Sequence, residues 1–213
     1  MTRKLPSSIP FAAFLTYSPN GKSEVSKRSQ KICFAIKDGR ETTVQNAVER
    51  LAASWQDAGM ADFFGDDVVL VPMPRSSLLV DGALWPAMVV CREVVRQGLA
   101  RAVEPALRRI TAVPKAHYGK ASERPDVAKH LETMEATPWL LDGARITLVD
   151  DVVTKGVSLY AGCVLIQEAM PDVEVRGFAM VRAMGFQDEV EKVVDPATGT
   201  ITRYPSGKVW RDP

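Results

Sequence analysis

The stretch that decides the fold covers residues 145–158 and reads Arg145-Ile146-Thr147-Leu148-Val149-Asp150-Asp151-Val152-Val153-Thr154-Lys155-Gly156-Val157-Ser158. The apolar run from residue 146 to residue 149 is short and rich in β-branched residues, which is typical of a buried parallel strand. Apolar residues then recur at helical spacing, at Leu159, Cys163, Ile166 and Met170. The pattern therefore predicts a strand followed by a helix that begins near residues 154–158.

The junction between this strand and this helix carries a chemical signal. Asp150 and Asp151 end the apolar run, and Gly156 lies in the segment that leads into the helix. Free N–H groups at a helix start, in a loop with a glycine, form an anion site, and the carboxyl ends of strands are where open α/β sheets bind ligands. An acid pair beside a phosphate loop indicates a sugar phosphate ligand. The same pattern also occurs in magnesium sites of nucleotide hydrolases, or merely caps a strand.

This segment resembles the ribose-phosphate signature of the type I phosphoribosyltransferases, in which an apolar strand, two acids and two apolar residues precede a Thr-Thr-Gly-x-Thr/Ser loop. The resemblance implies that Asp150 and Asp151 hold the ribose hydroxyls of phosphoribosyl pyrophosphate (PRPP). It assigns the 5′-phosphate to the loop formed by Thr154, Lys155, Gly156, Val157 and Ser158. Lys155 departs from the usual small hydroxyl residue, and its ammonium could add a phosphate contact.

A second strand-to-loop junction supports the resemblance. Asp66 and Asp67 precede the apolar run of residues 68–71, after which prolines stop the strand in Pro72-Met73-Pro74-Arg75-Ser76-Ser77. The resemblance places the pyrophosphate-binding loop here. The Val-Pro-x-Pro motif is most similar to that of competence-protein-F-like (ComF-like) members of the family. Arg75 would pair bidentately with pyrophosphate, while Ser76 and Ser77 offer hydroxyls. The alternative is a plain strand-to-helix turn with a solvated arginine.

Residues 111–138 mostly lack an apolar period, except for a short helix predicted at residues 126–134. Long loops of this kind in compact domains are often lids. The resemblance implies a segment that closes over PRPP, whose basic groups offset the charge on departing pyrophosphate. The candidates are Lys115, Lys120 and Arg124, with Arg108 and Arg109 on the preceding strand or at its end. A solvated basic loop without a chemical role is the other interpretation.

A competing motif lies near the N-terminus, where Asn20-Gly21-Lys22-Ser23 follows an apolar run and resembles the tail of a Walker A loop. The leading glycine of that motif would fall at position 16, which is Thr16. Without it the tight phosphate-wrapping turn is not encoded. A turn at residues 18–21, with Ser23 capping a helix, accounts better for the segment.

Composition fits one α/β domain covering residues 1–213, with 46% apolar and 25% charged residues. The net charge of +1 predicts neither a nucleic acid nor a membrane partner. The three cysteines, Cys33, Cys91 and Cys163, are expected to be buried free thiols, and the two histidines give no metal-ligand spacing. No apolar run reaches the ~18 residues that span a bilayer, and the N-terminus is weak as a signal peptide, so a cytoplasmic location is expected.

The expected fold is a parallel sheet flanked by helices, like that of the type I phosphoribosyltransferases, with a small hood and a C-terminal β-hairpin. The strands are predicted near residues 11–17, 68–71, 102–110, 146–149 and 173–181, with hairpin turns near 195–199 and 204–208. The helices are predicted near residues 23–37, 42–58, 84–98 and 154–170. The resemblance covers a core of about residues 68–183, and the hood is expected from about residues 1–60 and 184–213.

The resemblance implies transfer of 5-phosphoribosyl from PRPP to a nitrogenous acceptor with release of pyrophosphate, an activity of nucleotide metabolism. Mg²⁺ would be held mainly through PRPP, since its preference for oxygen ligands suits pyrophosphate and ribose. Phe186 is a candidate for stacking on a flat acceptor base, or it packs under the hairpin; Tyr17 and Trp210 are weaker candidates. Two alternatives stay open, namely a PRPP- or nucleotide-binding regulator without turnover and a ComF-like protein of DNA uptake. The sequence leaves the acceptor and the assembly open, a homodimer being one candidate.

Overall fold

The structure is a computed structural model that describes residues 5–114, 125–139, 145–185 and 187–213. In chain order its elements are β1 (Ser8–Tyr17), α1 (Glu24–Lys37), α2 (Glu41–Ala52), β2 (Gly65–Pro72), α3 (Pro86–Arg96), β3 (Ala100–Val103), β4 (Leu107–Arg109), α4 (Val127–Thr133), β5 (Met134–Ala136), β6 (Arg145–Val153), α5 (Val157–Ala169), β7 (Val175–Ala183), β8 (Val194–Arg203) and β9 (Val209–Asp212).

Seven of these strands form one sheet in the order β3-β2-β6-β7-β1-β8-β9. The five strands from β3 to β1 run parallel, whereas β8 pairs antiparallel with β1 and β9 pairs antiparallel with β8. Strands β4 and β5 form a separate antiparallel pair. The expected α/β class, a mostly parallel sheet with flanking helices and a C-terminal hairpin, is confirmed.

Apolar cores cover both faces of the sheet, as the continuous apolar runs of its strands require. On one face, α1, α2 and α3 contribute Cys33, Val48 and Val90 to a core with the sheet. On the other face, α5 packs against the sheet together with α4 and the hairpin residues Ile201 and Val209. The two crossover helices α3 and α5 therefore lie on opposite faces.

The direction of the chain reverses between two neighbouring strands. From β2 the chain passes through α3 to β3, on one side, and from β6 it passes through α5 to β7, on the other side. Strands β2 and β6 are hydrogen-bonded neighbours, from Val68 paired with Arg145 to Pro72 paired with Val149. In open α/β sheets a crevice forms at such a switch point, outside the carboxyl ends of the strands, and ligands bind there.

Local signals set several element ends. The Ser23 side chain accepts a hydrogen bond from the Ser26 N–H and caps α1, as expected. Gly39, Gly59 and Gly98 have positive φ values at or just beyond the ends of the segments predicted as helices. The cysteines Cys33, Cys91 and Cys163 are buried free thiols, as predicted. Among the described residues, no helix is long and apolar enough to cross a membrane.

Four predicted boundaries are wrong. Helix α2 ends at Ala52, because the chain turns there and Trp55 packs edge-on against Phe64. The strand predicted at residues 102–110 is two strands, since Pro105 interrupts it and β4 pairs with β5. Strand β6 was predicted to end at residue 149 but continues through the acid pair to Val153, whereas α5 begins at Val157, within the predicted range of residues 154–158.

The fourth wrong boundary is the hairpin turn expected near residues 195–199. Pairing with β1, from Ala13 opposite Ala197 to Ser8 opposite Thr202, keeps β8 extended through this segment. The second turn expected, near residues 204–208, is confirmed: it lies between β8 and β9, where the Tyr204 N–H donates to the Lys208 carbonyl. Strands β1, β8 and β9, from segments expected to form the hood, belong to the main sheet.

Candidate active site

The acid pair lies toward the end of β6, at the carboxyl edge of the sheet. Asp150 pairs with Ala179 of β7, and its Oδ1 accepts a hydrogen bond of 3.0 Å from the Asp151 N–H. Burial, and secondly the Asp151 carboxylate, raise the pKa of Asp150 well above its ordinary value, while Lys37 acts in the opposite direction. Two adjacent carboxylates of this kind are suited to accept hydrogen bonds from vicinal hydroxyl groups.

The loop between β6 and α5 has the backbone of an anion-binding turn. Gly156 precedes the first residue of α5 and has φ +85°, a left-handed conformation that favours glycine. No side chain of the described residues caps this helix start, so its first N–H groups are free to bind a ligand. Thr154 and Lys155 are exposed, and Gly156 is buried.

The C-terminal hairpin contacts three residues of this loop. The sequence analysis did not predict these contacts. A Cβ placed on Gly156 would lie 2.8 Å from Ile201 Cδ1. The Arg211 Nε donates to the Thr154 carbonyl at 2.6 Å, and the Lys155 Nζ lies 5.2 Å from the centre of the Trp210 ring. Lys155 thus makes a cation–π contact with the hairpin in this structure. The sequence analysis had suggested a contact between Lys155 and phosphate.

The loop after β2 adjoins the loop after β6. The Met73 N–H donates to the Val149 carbonyl at 2.8 Å and so extends the β2–β6 pairing just beyond Pro72, while β6 itself continues to Val153. The Trp85 Nε1 donates to the Met73 carbonyl at 2.7 Å, and the Arg75 Nη1 donates to the Leu84 carbonyl at 2.6 Å. Arg75, Ser76 and Ser77 are partly exposed. The loop predicted to bind pyrophosphate and the loop predicted to bind ribose 5-phosphate therefore follow adjacent strands of the sheet.

A buried arginine lies beneath the loop after β2. The Arg109 side chain, only 8% exposed, donates from Nε to the Arg75 carbonyl at 3.0 Å and from Nη1 to Thr133 Oγ1 at 2.8 Å. Burial lowers the pKa of Arg109 to about 10, and the Asp150 carboxylate partly offsets this effect. Arg109 therefore remains charged near neutral pH, and it brings a buried cation close to the acid pair.

His130 of α4 completes this buried cluster. Its Nδ1 lies 3.5 Å from the Arg109 Nη2. Burial, followed by the Arg109 charge, lowers the pKa of His130 to about 4, so its imidazole is neutral near pH 7. Arg108, which the sequence grouped with Arg109, differs in its surroundings. It pairs with Glu135 across β4 and β5 in an exposed position.

The structure brings together most of the residues predicted for the site. Asp150, Asp151 and residues 154–158 lie at the end of β6, and Arg75, Ser76 and Ser77 lie at the end of β2. The remaining candidates, Lys115, Lys120, Arg124 and Phe186, lie outside the described residues, and their roles stay predictions. The sequence analysis did not identify Arg211 as a site residue. Alternate side chains of a strand lie on the same face, so Arg211 shares a face of β9 with the apolar Val209.

The Walker-like segment at residues 20–23 has a structural partner. The Glu189 carboxylate accepts hydrogen bonds from the Lys22 N–H at 2.7 Å, the Ser23 N–H at 3.1 Å and the Ser26 Oγ at 2.6 Å. Hydrogen bonding by the Ser23 and Ser26 side chains, followed by that of the Lys22 and Ser23 N–H groups, lowers the pKa of Glu189 to about 2. A carboxylate of the chain already occupies the start of α1, which argues against a nucleotide phosphate there.

Two surface cavities lie at the carboxyl edge of the sheet, the edge at which the acid pair also lies. One, of about 440 Å³, lies at the ends of β1 and β7 and is lined by Thr16, Met184, Gln187, Glu189, Val190, Glu191, Lys192 and Asp195. The other, of about 430 Å³, lies beside the loop after β2 and is lined by residues 79–85, Met88, Val89, Arg92 and Pro105. The first is formed partly by residues 184–195, the region that the sequence assigned to the hood.

The chain has structural likenesses among solved proteins. The chain is similar to the xanthine-guanine-hypoxanthine phosphoribosyltransferase of Helicobacter pylori, with 15% identity, a TM-score of 0.37 and coverage of 72% of this chain and 80% of that chain. No family model matches the chain, and no curated protein matches it. At this identity and TM-score the likeness decides neither family nor substrate.

Proposed function

We propose that this chain is a phosphoribosyltransferase that transfers 5-phosphoribosyl from PRPP to a nitrogenous acceptor and releases pyrophosphate. One observation carries the proposal. The two loops whose sequences resemble PRPP-binding motifs follow β2 and β6, which are adjacent parallel strands at the switch point of the sheet. The Met73–Val149 hydrogen bond joins the start of the loop after β2 to strand β6. The resemblance in sequence and the position of the two loops in the fold both support this proposal.

In the proposed complex, each part of PRPP has a partner. Asp150 and Asp151 accept hydrogen bonds from the ribose hydroxyls, and the N–H groups from residue 154 to residue 158 bind the 5′-phosphate. Arg75, Ser76 and Ser77 bind pyrophosphate, with the buried Arg109 adding positive charge beneath them. Lys115, Lys120 and Arg124 are proposed to contact pyrophosphate from the lid.

The reaction needs little covalent chemistry from the protein. The bond between the ribose C1 and the pyrophosphate oxygen breaks, a bond from C1 to the acceptor nitrogen forms, and the acceptor nitrogen loses a proton. The negative Asp150–Asp151 pair favours the positive charge that develops on the sugar, and the cations at the β2 end favour the departing pyrophosphate. Catalysis would come from placement and electrostatics.

Magnesium enters the proposal only through the substrate. Within the described ranges, no group of three or more His, Cys, Asp or Glu side chains is arranged to hold a metal ion. Asp150 and Asp151 supply oxygen ligands of the kind that Mg²⁺ prefers, but they form only part of an octahedral set. When bound, Mg²⁺ would neutralise charge on pyrophosphate, and most of its ligands would be PRPP oxygens and water.

The acceptor would enter from the side of β7 and β1. The cavity of about 440 Å³ at this end is lined by Met184 and Gln187 among others. Phe186, which lies outside the described residues, is proposed to stack on a flat base. A single domain, a cytoplasmic location and a homodimer remain parts of the proposal. The alternatives are a PRPP- or nucleotide-binding regulator without turnover and a ComF-like protein of DNA uptake.

Calorimetric titration of PRPP with Mg²⁺ tests the site. The parent should bind PRPP, and the double variant Asp150→Asn/Asp151→Asn should not. The chain offers a matched control in Asp66→Asn/Asp67→Asn, a second adjacent acid pair at the opposite, amino end of β2. The control should bind PRPP like the parent. Absence of PRPP binding by the parent, or equal loss in both double variants, would contradict the proposal.

Pyrophosphate release separates the enzyme from the regulator. With PRPP, Mg²⁺ and a panel of purine, pyrimidine and pyridine acceptors, a transferase should release pyrophosphate only when an acceptor is present. The Asp150→Asn/Asp151→Asn variant is the blank for this assay. Tight PRPP binding without release for any acceptor would favour the regulator.

A further inference from the structure

Two buried arginines each donate a hydrogen bond to a backbone carbonyl in one of the two proposed ligand-binding loops. Arg211 and Arg109 are each 8% exposed. The Arg211 Nε donates to the Thr154 carbonyl of the loop after β6 at 2.6 Å, and the Arg109 Nε donates to the Arg75 carbonyl of the loop after β2 at 3.0 Å. Each guanidinium therefore holds one backbone carbonyl of a loop that is expected to bind anions.

The orientation of these carbonyls determines where the loop N–H groups point. In a planar trans peptide, the carbonyl of one residue and the N–H of the next point in opposite directions. Holding the Thr154 carbonyl toward Arg211 therefore turns the Lys155 N–H away from Arg211. Holding the Arg75 carbonyl toward Arg109 turns the Ser76 N–H away from Arg109 in the same way. Within the described residues, no backbone hydrogen-bond acceptor for either N–H group is found.

A carbonyl turned into an anion site would repel the ligand, and an N–H turned into it would bind the ligand. The position of each arginine therefore affects binding without any contact between the arginine and the ligand. Arg211 also donates from Nη2 to the Ala183 carbonyl at 2.6 Å, at the end of β7. Its guanidinium thus connects the loop after β6 to the edge of the neighbouring strand.

The charge needed for these contacts is available at neutral pH. Burial, and secondly Arg182, lower the pKa of Arg211 to about 10, which leaves it protonated. Two further hairpin contacts, Ile201 against Gly156 and Trp210 against Lys155, hold the rest of the loop. The hairpin thus supports residues 154–156 from one side and leaves the opposite side for a ligand.

We infer that Arg211 and Arg109 are positioning residues, each of which orients the N–H groups of one loop toward an anion: Arg211 for the 5′-phosphate and Arg109 for pyrophosphate. This inference rests on the proposed function and adds to it, because it assigns the C-terminal hairpin to phosphate binding. It predicts that the two arginines affect different parts of the ligand.

The test compares two probes, ribose 5-phosphate and inorganic pyrophosphate, by calorimetry on the full chain. Arg211→Lys keeps a positive charge but loses the planar fork that reaches several carbonyls. It should weaken ribose 5-phosphate binding about tenfold to hundredfold, as expected for losing one hydrogen bond to a charged group, and leave pyrophosphate binding unchanged. Arg109→Lys should show the reverse pattern. A merely structural role would weaken both probes together.

Controls keep the test decisive if a variant is unstable. Arg176→Lys is the matched control, since Arg176 is a largely buried arginine at the amino end of β7, paired with Glu174. It should leave both affinities unchanged. Arg211→Gln is a second variant, with a donor but without the charge, and should weaken ribose 5-phosphate binding selectively. Thermal unfolding of each variant checks that it is folded before titration.

Backbone amide NMR distinguishes failure of this inference from failure of the proposed function. Inorganic phosphate should shift the amide resonances of Lys155, Gly156 and Val157 in the parent and shift them less in Arg211→Lys. If phosphate shifts these amides while PRPP does not bind, the proposed function is wrong and the inference stands. If phosphate leaves these amides unmoved, or if Arg211→Lys retains parental ribose 5-phosphate affinity, the inference is overturned.

Discussion

Replacing Gly156 by alanine tests the packing of the phosphate loop against the C-terminal hairpin. The Gly156 φ of +85° costs an alanine about 1 kcal/mol or slightly more, because its Cβ crowds the backbone there. The new Cβ would also lie 2.8 Å from Ile201 Cδ1 and 3.1 Å from both Cγ atoms of Ile201, a fully buried side chain. Overpacking of this kind costs about 1–3 kcal/mol.

The two effects together predict a loss of roughly 3 kcal/mol of unfolding free energy. For a chain of this size this corresponds to a fall in Tm of about 6–12 °C. Gly98→Ala is the matched control, since Gly98 has φ +72° and an added Cβ would meet no atom of the described residues within 4 Å, apart from its neighbours in the chain. It should pay the backbone cost alone, about 1 kcal/mol, and lower Tm by about 2–4 °C.

The assay is urea unfolding of the parent, the two alanine variants, Ile201→Val and the double variant Gly156→Ala/Ile201→Val. Ile201→Val removes the nearest atom, so the double variant should be more stable than the sum of the single effects implies, by about 1 kcal/mol. Equal losses for Gly156→Ala and Gly98→Ala, or strict additivity with Ile201→Val, would refute the contact between the loop and the hairpin.

Three further predictions concern pH. The pKa of Asp150 is raised in the folded state, so its stabilising contribution is complete below the unfolded-state pKa and is lost as pH rises through the folded-state pKa. Asp150→Asn should therefore have a higher Tm than the parent near pH 7.5. This difference in Tm should be smaller toward pH 4. A Tm below that of the parent at pH 7.5 would contradict it. His130, whose pKa is lowered to about 4, should lose about 3 kcal/mol of stabilisation as pH falls from about 6.5 to about 4, and His130→Gln should lack this slope in denaturant titrations across that range. Glu189 stabilises α1 above its unfolded-state pKa of about 4.5 and less as pH falls toward its folded-state value of about 2, so Glu189→Gln should lower Tm at pH 7 but not near pH 2. A constant Tm difference at all pH values would rule out the Glu189 hydrogen bonds as its cause.

Local patterns predicted the elements that carry the candidate site. The apolar run before Asp150 forms a strand, the spacing after Gly156 forms a helix, and the prolines after Val71 stop β2. Each of these depends on residues within a few positions of one another, which is why they can be read from the chain alone. The same applies to the Ser23 cap.

Predictions failed where pairing outweighed local preference. The turn signal Asp195-Pro196-Ala197-Thr198-Gly199 lies within β8, because ladder hydrogen bonds and side-chain contacts with β1 stabilise the extended form. Pro105 had the opposite effect and divided one predicted strand into two. The first outcome does not follow from propensity, since it depends on which strand lies alongside. The break at Pro105 is a local signal, because proline lacks the N–H that pairing in a sheet requires.

The sequence by itself determined the α/β alternation and the residue types of the two loops after β2 and β6. Only the tertiary structure decided that these loops lie side by side, because strand order depends on how the whole sheet packs its two apolar faces. It also decided which cations support the loops. Arg211 and Thr154 are 57 positions apart, and Arg109 and Arg75 are 34 positions apart, so no local period joins them. Such contacts exist only once the chain has closed around its core.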